Sequence, residues 1–435
     1  MMFKKLLALA CLLAACVCAR AQFYSDWSWF SVPSHADWTY QVGEDASVEV
    51  FLSKYGMPYD GTLSYTVSDD LMQEDARGTA ELRGGRAVIP VGTRRTPGFR
   101  NVRIRLSEAG STTETRVKLG FSPEKIEPVV AMPADFDAFW KKEIAAMEAR
   151  PLRVREIPQP ERDTPAERCT LVRVSVDDEH GIYGYLYVPK DVAPGSCPIV
   201  IFPPGAGVNT IIVPGWHRYY TQRRFIRFVI EIHGLDPRSD SQVFREAGRR
   251  LETGNGAGYL GNGIESREDY YMKNVYLAMV RMIDYLTTLP EWNGKDVVVK
   301  GGSQGGALSL VAAGLDPRVT VCIADHPALA DMAAYAEPGR TGGYPHFNHQ
   351  PGILTPAAVS TLAYYDVINF ARRIRVPVQM SFGYNDDVCP PSTSFGVWNS
   401  LDCPKSLLLT PINEHWASET TEAAHCTWMD EYLSK

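Results

Sequence analysis

Val297-Val298-Val299-Lys300-Gly301-Gly302-Ser303-Gln304-Gly305-Gly306-Ala307-Leu308-Ser309-Leu310 is the stretch on which the fold turns. Its first three residues are β-branched and apolar, as a buried strand requires. The run stops at four glycines around Ser303. A pattern of small and apolar residues follows, with Ala307, Leu308, Leu310, Val311, Ala312 and Ala313. The spacing predicts strand, sharp turn and helix, with Ser303 at the turn. Glycine suits such a turn because the serine backbone is strained and strand and helix approach closely. Ser303 would then stand at a helix N-terminus, where the dipole and free N–H groups favour negative charge. The competing reading is a glycine-rich turn of a doubly wound fold in which Ser303 is only an N-cap.

G-x-S-x-G between a strand and a helix is the nucleophile elbow of α/β-hydrolases. The flanking sequence agrees with that fold class. Residues 169–176 and 181–188, the latter GIYGYLYV, read as an antiparallel hairpin leading into a sheet. Residues 199–202, 228–232, 319–324, 376–382 and 406–409 read as further strands, and 267–289 as a long helix. Strands alternating with helices predict a mostly parallel sheet with helices on both faces. Phe136, Phe139, Trp140, Ile144 and Met147 mark one face of an earlier helix that follows Pro133.

The N-terminal part reads differently. Residues 1–21 form an export signal, with Lys4 and Lys5, an apolar core and Ala19-Arg20-Ala21 before Gln22. Leu13-Ala14-Ala15-Cys16 fits lipoprotein processing as the alternative, with Cys16 lipidated. The expected location is periplasmic or extracellular. Residues 22–121 have period-two patterning broken by turns such as Tyr59-Asp60-Gly61 and Gly84-Gly85. Short strands with regular turns predict an immunoglobulin-like β-sandwich. Its aromatic start, from Phe23 through Trp27 and Trp29 to Phe30, is expected to dock it on the next domain. A sugar-stacking surface is the alternative. Residues 122–132 read as a linker and 133–435 as the catalytic domain. That domain holds every candidate catalytic residue, so it is expected to keep its chemistry on small esters without residues 22–121.

Composition excludes some classes. A net charge of -7 gives no basic face for nucleic acid. No apolar run reaches the length of a membrane span. The six cysteines beyond the export signal lack the close C-x-x-C pairing of a zinc or redox site, and no metal or organic cofactor is implied.

A serine nucleophile needs a base, and imidazole titrates near working pH. In this fold class the partners follow in the order serine, acid, histidine. His415 lies just past the last strand, in Pro411-Ile412-Asn413-Glu414-His415-Trp416. His425 lies inside the final helix, on an element that does not reach Ser303. The acid should follow the preceding strand, where Asp386 and Asp387 are adjacent and the residues do not separate them. Asp325, after residues 319–324, is a third option whose expected role is strand-end capping. One oxyanion donor is the N–H of Gln304. The other comes from Pro203-Pro204-Gly205-Ala206-Gly207. Proline has no N–H and Gly205 sits in the turn, which leaves Ala206.

GGSQGG and DDVCPPST, residues 386–393, resemble the elbow and acid motifs of the acetyl xylan esterase and cephalosporin C deacetylase family of carbohydrate esterases. Phe136-Asp137-Ala138-Phe139-Trp140 and Tyr270-Tyr271 fit it as well. The resemblance covers about Pro133 to Lys435 and puts the acid on Asp386. It implies a serine esterase that deacetylates saccharides through Ser303, His415 and Asp386 and an acetyl-enzyme. Its substrates would be acetylated oligosaccharides or small acetate esters, and members often form hexameric rings. Two departures stand out. This chain has His233-Gly234-Leu235 where the family usually has Arg-Gly-Gln, and Glu414-His415-Trp416 where it has Gly-His-Glu. The rival readings are a prolyl oligopeptidase-type peptidase, which normally carries a propeller far larger than residues 22–121, and a sugar-binding protein on an inactive hydrolase fold.

Overall fold

The computed structural model describes residues 26–108, 110–211, 217–252 and 257–433. The export signal, Phe23 and Tyr24 lie outside the described residues. Nine strands come first: β1 (Trp27–Pro33), β2 (Thr39–Tyr40), β3 (Ala46–Lys54), β4 (Met57–Pro58), β5 (Gly61–Asp69), β6 (Glu74–Leu82), β7 (Arg86–Gly92), β8 (Gly98–Glu108) and β9 (Ser111–Phe121). They form two sheets. In one, β3 pairs with β1, β4 and β7; the other runs β2-β9-β8-β5-β6. Alternation decides what faces inward. Val48, Val50 and Leu52 of β3 meet Leu63 and Val67 of β5, Ile89 of β7, and Val102 and Ile104 of β8 in one buried core. Removing that apolar surface from water is the main force holding the two sheets together.

The aromatic start behaves otherwise than its sequence suggests. Trp27 and Trp29 pack on the core of these same sheets, because β1 pairs along its whole length with β3. Phe30 points outward, 62% exposed, beside Phe51. None of the three is the docking surface.

A nine-stranded sheet follows: β10 (Val154–Pro158), β11 (Glu167–Ser175), β12 (Gly181–Pro189), β13 (Cys197–Phe202), β14 (Ile226–Glu231), β15 (Trp292–Gly302), β16 (Val321–Asp325), β17 (Val378–Phe382) and β18 (Lys405–Leu409). Its order is β10-β11-β12-β14-β13-β15-β16-β17-β18. Pairing is antiparallel from β10 through β12 to β14 and parallel from there to β18. The parallel strands are apolar on both faces because both are covered. Ile199, Ile201, Val297 and Val299 join a large core with the helices Phe136–Glu148, Met272–Leu286 and Gln304–Leu315. Their neighbours Val200 and Val298 point the other way, into a smaller core with Trp428 and Met429 of the helix Glu419–Met429. This is the α/β-hydrolase class that the elbow predicts. Parallel strands bring the C-terminal ends of β15, β16, β17 and β18 to one edge, where a doubly wound sheet builds its sites.

Two elements differ from expectation. The long helix is Met272–Leu286, shorter at both ends than residues 267–289. Strand β10 has no apolar alternation and sits at the edge of the sheet, where pairing alone makes it a strand. No helix of the described residues is long and apolar enough to cross a membrane.

Candidate active site

At the end of β15 the chain turns through Ser303 into the helix Gln304–Leu315. Ser303 has φ 58° and ψ -126°, a conformation that a side chain rarely accepts. Neighbours hold it there. Its N–H donates to the Asp325 carbonyl at 3.0 Å, and its carbonyl accepts from Ala328 N at 3.0 Å. A Cβ on Gly301 would lie 2.5 Å from the carbonyl carbon of Gly305, and one on Gly305 would lie 2.5 Å from the carbonyl oxygen of Pro203. Both glycines are therefore required by packing. The competing N-cap role is not seen, since the Ser303 side chain makes no capping hydrogen bond.

His415 follows β18 in the loop that leads to the last helix. Its Nδ1 lies 2.8 Å from Oδ2 of Asp386. The other carboxylate oxygen of Asp386 accepts from the N–H groups of Val388 at 2.8 Å and Cys389 at 2.9 Å. Asp386 is fully buried, so both its oxygens are directed. Its neighbour Asp387 points away and pairs with Arg116 and Lys118. The structure thus brings Asp386 to His415 and leaves Asp387 outside. Burial pushes the Cys389 thiol well above its ordinary value, with Ser303 opposing. Catalytic hydrogen bonds to serine commonly tighten only when substrate is present.

The loop Pro203–Gly207 lies over the start of the elbow helix. Gln304 ties the two together with its side chain. Its Oε1 accepts from the Tyr259 hydroxyl at 2.5 Å, which in turn accepts from Gly207 N at 3.2 Å, and its Nε2 donates to Gly205 O at 3.4 Å. The Gln304 N–H belongs to the first helical residue, so no carbonyl of its own helix takes it. His233 supports the same loop from behind. Its Nε2 faces the Gly207 carbonyl at 3.2 Å and its Nδ1 the Tyr271 hydroxyl at 2.7 Å. Burial pushes His233 down to about 4, so it stays neutral, donating from Nε2 and accepting at Nδ1.

The other histidines and acids take structural places. His425 is buried, and its partner is Asp325 at 3.2 Å. Asp325 does not cap its strand as expected. Its carboxylate accepts from Ser381 Oγ at 2.6 Å and lies 3.8 Å from Lys300 Nζ, which also pairs with Glu422 at 2.6 Å. Asp325, Glu422 and His425 are close enough to hold a cation, but the Lys300 ammonium already supplies the positive charge there. Against the cost of burial, Lys300 and His425 hold Asp325 below the usual carboxylate range. His326 is a site neighbour that motif spacing did not reveal. Its ring lies 4.5 Å from that of His415, and burial holds it below the ordinary imidazole value, with Asp325 opposing and His415 reinforcing. Its one signal was its place directly after a parallel strand.

Glu231 allows a pH test of the support behind the Pro203–Gly207 loop. Its carboxyl accepts from His233 N and Leu235 N, both at 2.8 Å, and burial pushes it up to about 7. A raised acid contributes stability below its unfolded pKa and loses it as pH rises through the folded value. Glu231→Gln mimics the protonated form. Between pH 5 and pH 8 the wild type should lose about 2.5 kcal/mol relative to this variant. Urea denaturation at both pH values checks this, and a constant difference would mean that Glu231 ionises freely in the fold.

The sequence model of the acetyl xylan esterase (AXE1) family matches residues 124–432. The acetyl esterase Axe7A of Xylanibacter ruminicola is 47% identical over 435 residues, covering 99% of this chain and 97% of its own. The solved acetyl xylan esterase from Paenibacillus sp. R4 superposes with TM-score 0.62 and 26% identity, over 72% of this chain and 98% of its own. The solved acetyl xylan esterase 1 from Thermoanaerobacterium sp. JW/SL YS485 gives TM-score 0.62 at 20% identity, again over 72% and 98%, and supports the fold.

Proposed function

The chain belongs to the acetyl xylan esterase family and is a carboxylic ester hydrolase, and from that premise we propose that it deacetylates saccharides by a Ser303-His415-Asp386 mechanism. The observation that supports this reading is the hydrogen-bonded pair of His415 and the fully buried Asp386, which follow β18 and β17 of the same parallel sheet whose strand β15 ends in the strained Ser303.

In this mechanism Ser303 Oγ attacks the acetyl carbonyl carbon while His415 Nε2 takes its proton. Asp386 accepts the Nδ1 hydrogen, fixes the tautomer and stabilises the imidazolium. The developing oxyanion is met by the N–H groups of Gln304 and Ala206. His415 returns the proton to the departing sugar oxygen, which leaves an acetyl-Ser303 ester. Water, deprotonated by His415, then attacks that ester and releases acetate. Both half-reactions use one imidazole, which alternates between base and acid.

Trp416 gives the saccharide preference a physical basis. It is 51% exposed directly after His415, where the family motif differs. An exposed indole one residue from His415 offers apolar area to a sugar ring. A panel of acetylated xylo-oligosaccharides, aryl acetates and aminoacyl-proline substrates tests the reading. Acetate release from the oligosaccharides is expected, with no peptide cleavage. Trp416→Ala should raise KM on the oligosaccharides about tenfold and leave aryl acetates within about twofold. Equal effects on both substrates would remove Trp416 from sugar recognition, and cleavage only of aminoacyl-proline would overturn the function.

A further inference from the structure

The acid loop is held from behind by residues at the opposite end of the sequence. Strand β9 directs Val117, Leu119 and Phe121 into its own core, as alternation requires. The other face carries Arg116 and Lys118, which should meet water. Instead Lys118 is wholly buried. An ammonium has three donors, and three oxygens surround this one. Lys118 Nζ donates to the Asp386 carbonyl at 2.7 Å and lies 2.7 Å from both Asp387 Oδ1 and Asp70 Oδ1. Lys118 N–H also donates to Asn385 Oδ1 at 2.9 Å. Arg116 grips the same segment through Asp387 and through the Asn385 carbonyl at 2.6 Å, and reaches Glu414, next to His415, at 3.1 Å. Asp70 extends the hold to Ser392 Oγ at 2.7 Å. Phe99 packs edge-on against Tyr384 at 4.9 Å.

We propose that Arg116 and Lys118 are positioning residues of the esterase site. They fix the main chain at Asn385–Asp387 so that the Asp386 carboxylate faces His415, and Arg116 ties the His415 loop to the same anchor. The inference rests on Asp386 and His415 being the acid and base. Both anchors lie before residue 124, outside the span that the family model matches. The N-terminal sheets are thus a working part of the catalytic unit. The expectation that residues 133–435 suffice for chemistry on small esters is at odds with these contacts.

The test uses the full chain. Arg116→Gln removes the grip on Asn385, Asp387 and Glu414 with little burial lost, whereas Lys118→Met strands Asp70 and risks misfolding. Folding is followed by circular dichroism and thermal melting, activity by kcat and KM on an aryl acetate. The low-field proton NMR signal of the His415–Asp386 hydrogen bond gives a direct readout. Displacing a catalytic group by about 1 Å costs on the order of 10²-fold in rate. Arg116→Gln should therefore fold, lose about 10²-fold in kcat with KM within about threefold, and weaken or shift that signal. Arg116→Lys, which restores a charge for Asp387, should recover at least about tenfold of the loss. Leu106→Ala, in the core of the N-terminal sheets, serves as the control for destabilisation alone and should lower the melting temperature with kcat unchanged. A folded Arg116→Gln with normal kcat and NMR signal would overturn the inference. So would an equal kcat loss in Leu106→Ala. Ser303→Ala and Asp386→Asn are run in parallel: if they stay active, the triad reading fails instead.

Discussion

Ser303→Ala should fold as the wild type does and lose about 10⁴-fold or more in kcat on any acetate ester. The size follows from the way the parts work together. Without Oγ there is no acetyl-enzyme, and His415 and Asp386 have no proton to move. What remains is direct attack by water, helped only by the oxyanion donors and by binding. A 10⁴-fold loss corresponds to about 5.4 kcal/mol of activation free energy. The fold should survive because the Ser303 side chain caps nothing, and the bonds that hold the turn come from its backbone. Removing the hydroxyl also relieves nothing of the φ 58° strain, which belongs to the main chain. A folded alanine variant with near-normal turnover would remove Ser303 as nucleophile.

Asp386→Asn is expected to cost nearly as much, up to about 10⁴-fold in kcat. The amide keeps the shape but puts a donor where an acceptor stood. Its NH₂ faces His415 Nδ1, which favours the tautomer with the hydrogen on Nε2, the wrong one for accepting the serine proton. Two backbone N–H groups, from Val388 and Cys389, hold the other oxygen of Asp386 in place, so the substituted side chain cannot simply flip without losing both bonds. Asp387→Asn removes a charge next to Arg116 and Lys118 and acts on Asp386 only through the main chain. Its loss should be about tenfold. Steady-state kinetics of the two folded variants gives the ranking, and the reverse order would mean that Asp387 is the acid.

How much was legible in the sequence follows from how local each signal was. The elbow was readable because GGSQGG carries its own constraints: Gly301 and Gly305 are dictated by contacts within a few residues and with one neighbouring loop. The parallel sheet was readable because strands covered on both faces are continuously apolar. Asp386 and Asp387 could not be told apart from residues alone, because what divides them is the position of Lys118 and Arg116, far away in the chain. His326 carries no such motif signal, because it is near His415 only through the strand that ends beside it, and His233 stands out in the sequence only as a departure from the family motif. The aromatic start does not dock the two parts as its sequence suggests, because tryptophans mark burial but not against what. Trp27 and Trp29 pack on their own sheets, while Lys118, Arg116, Asp70 and Phe99 are among the residues that join the two parts of the chain. A charged outer face of a β-sheet reads as solvated, and only three-dimensional pairing shows that its charges are matched.

In the proposed mechanism the acetyl group passes through Ser303. Rapid mixing of the wild-type chain with an aryl acetate, acid quench within the first turnover and peptide mass mapping tests it most directly. One acetyl group is expected on the peptide containing Ser303, gained at the rate of the phenol burst and absent in Ser303→Ala. Acetate release with no acetylated peptide at any time, or with the acetyl group on another residue, would contradict it.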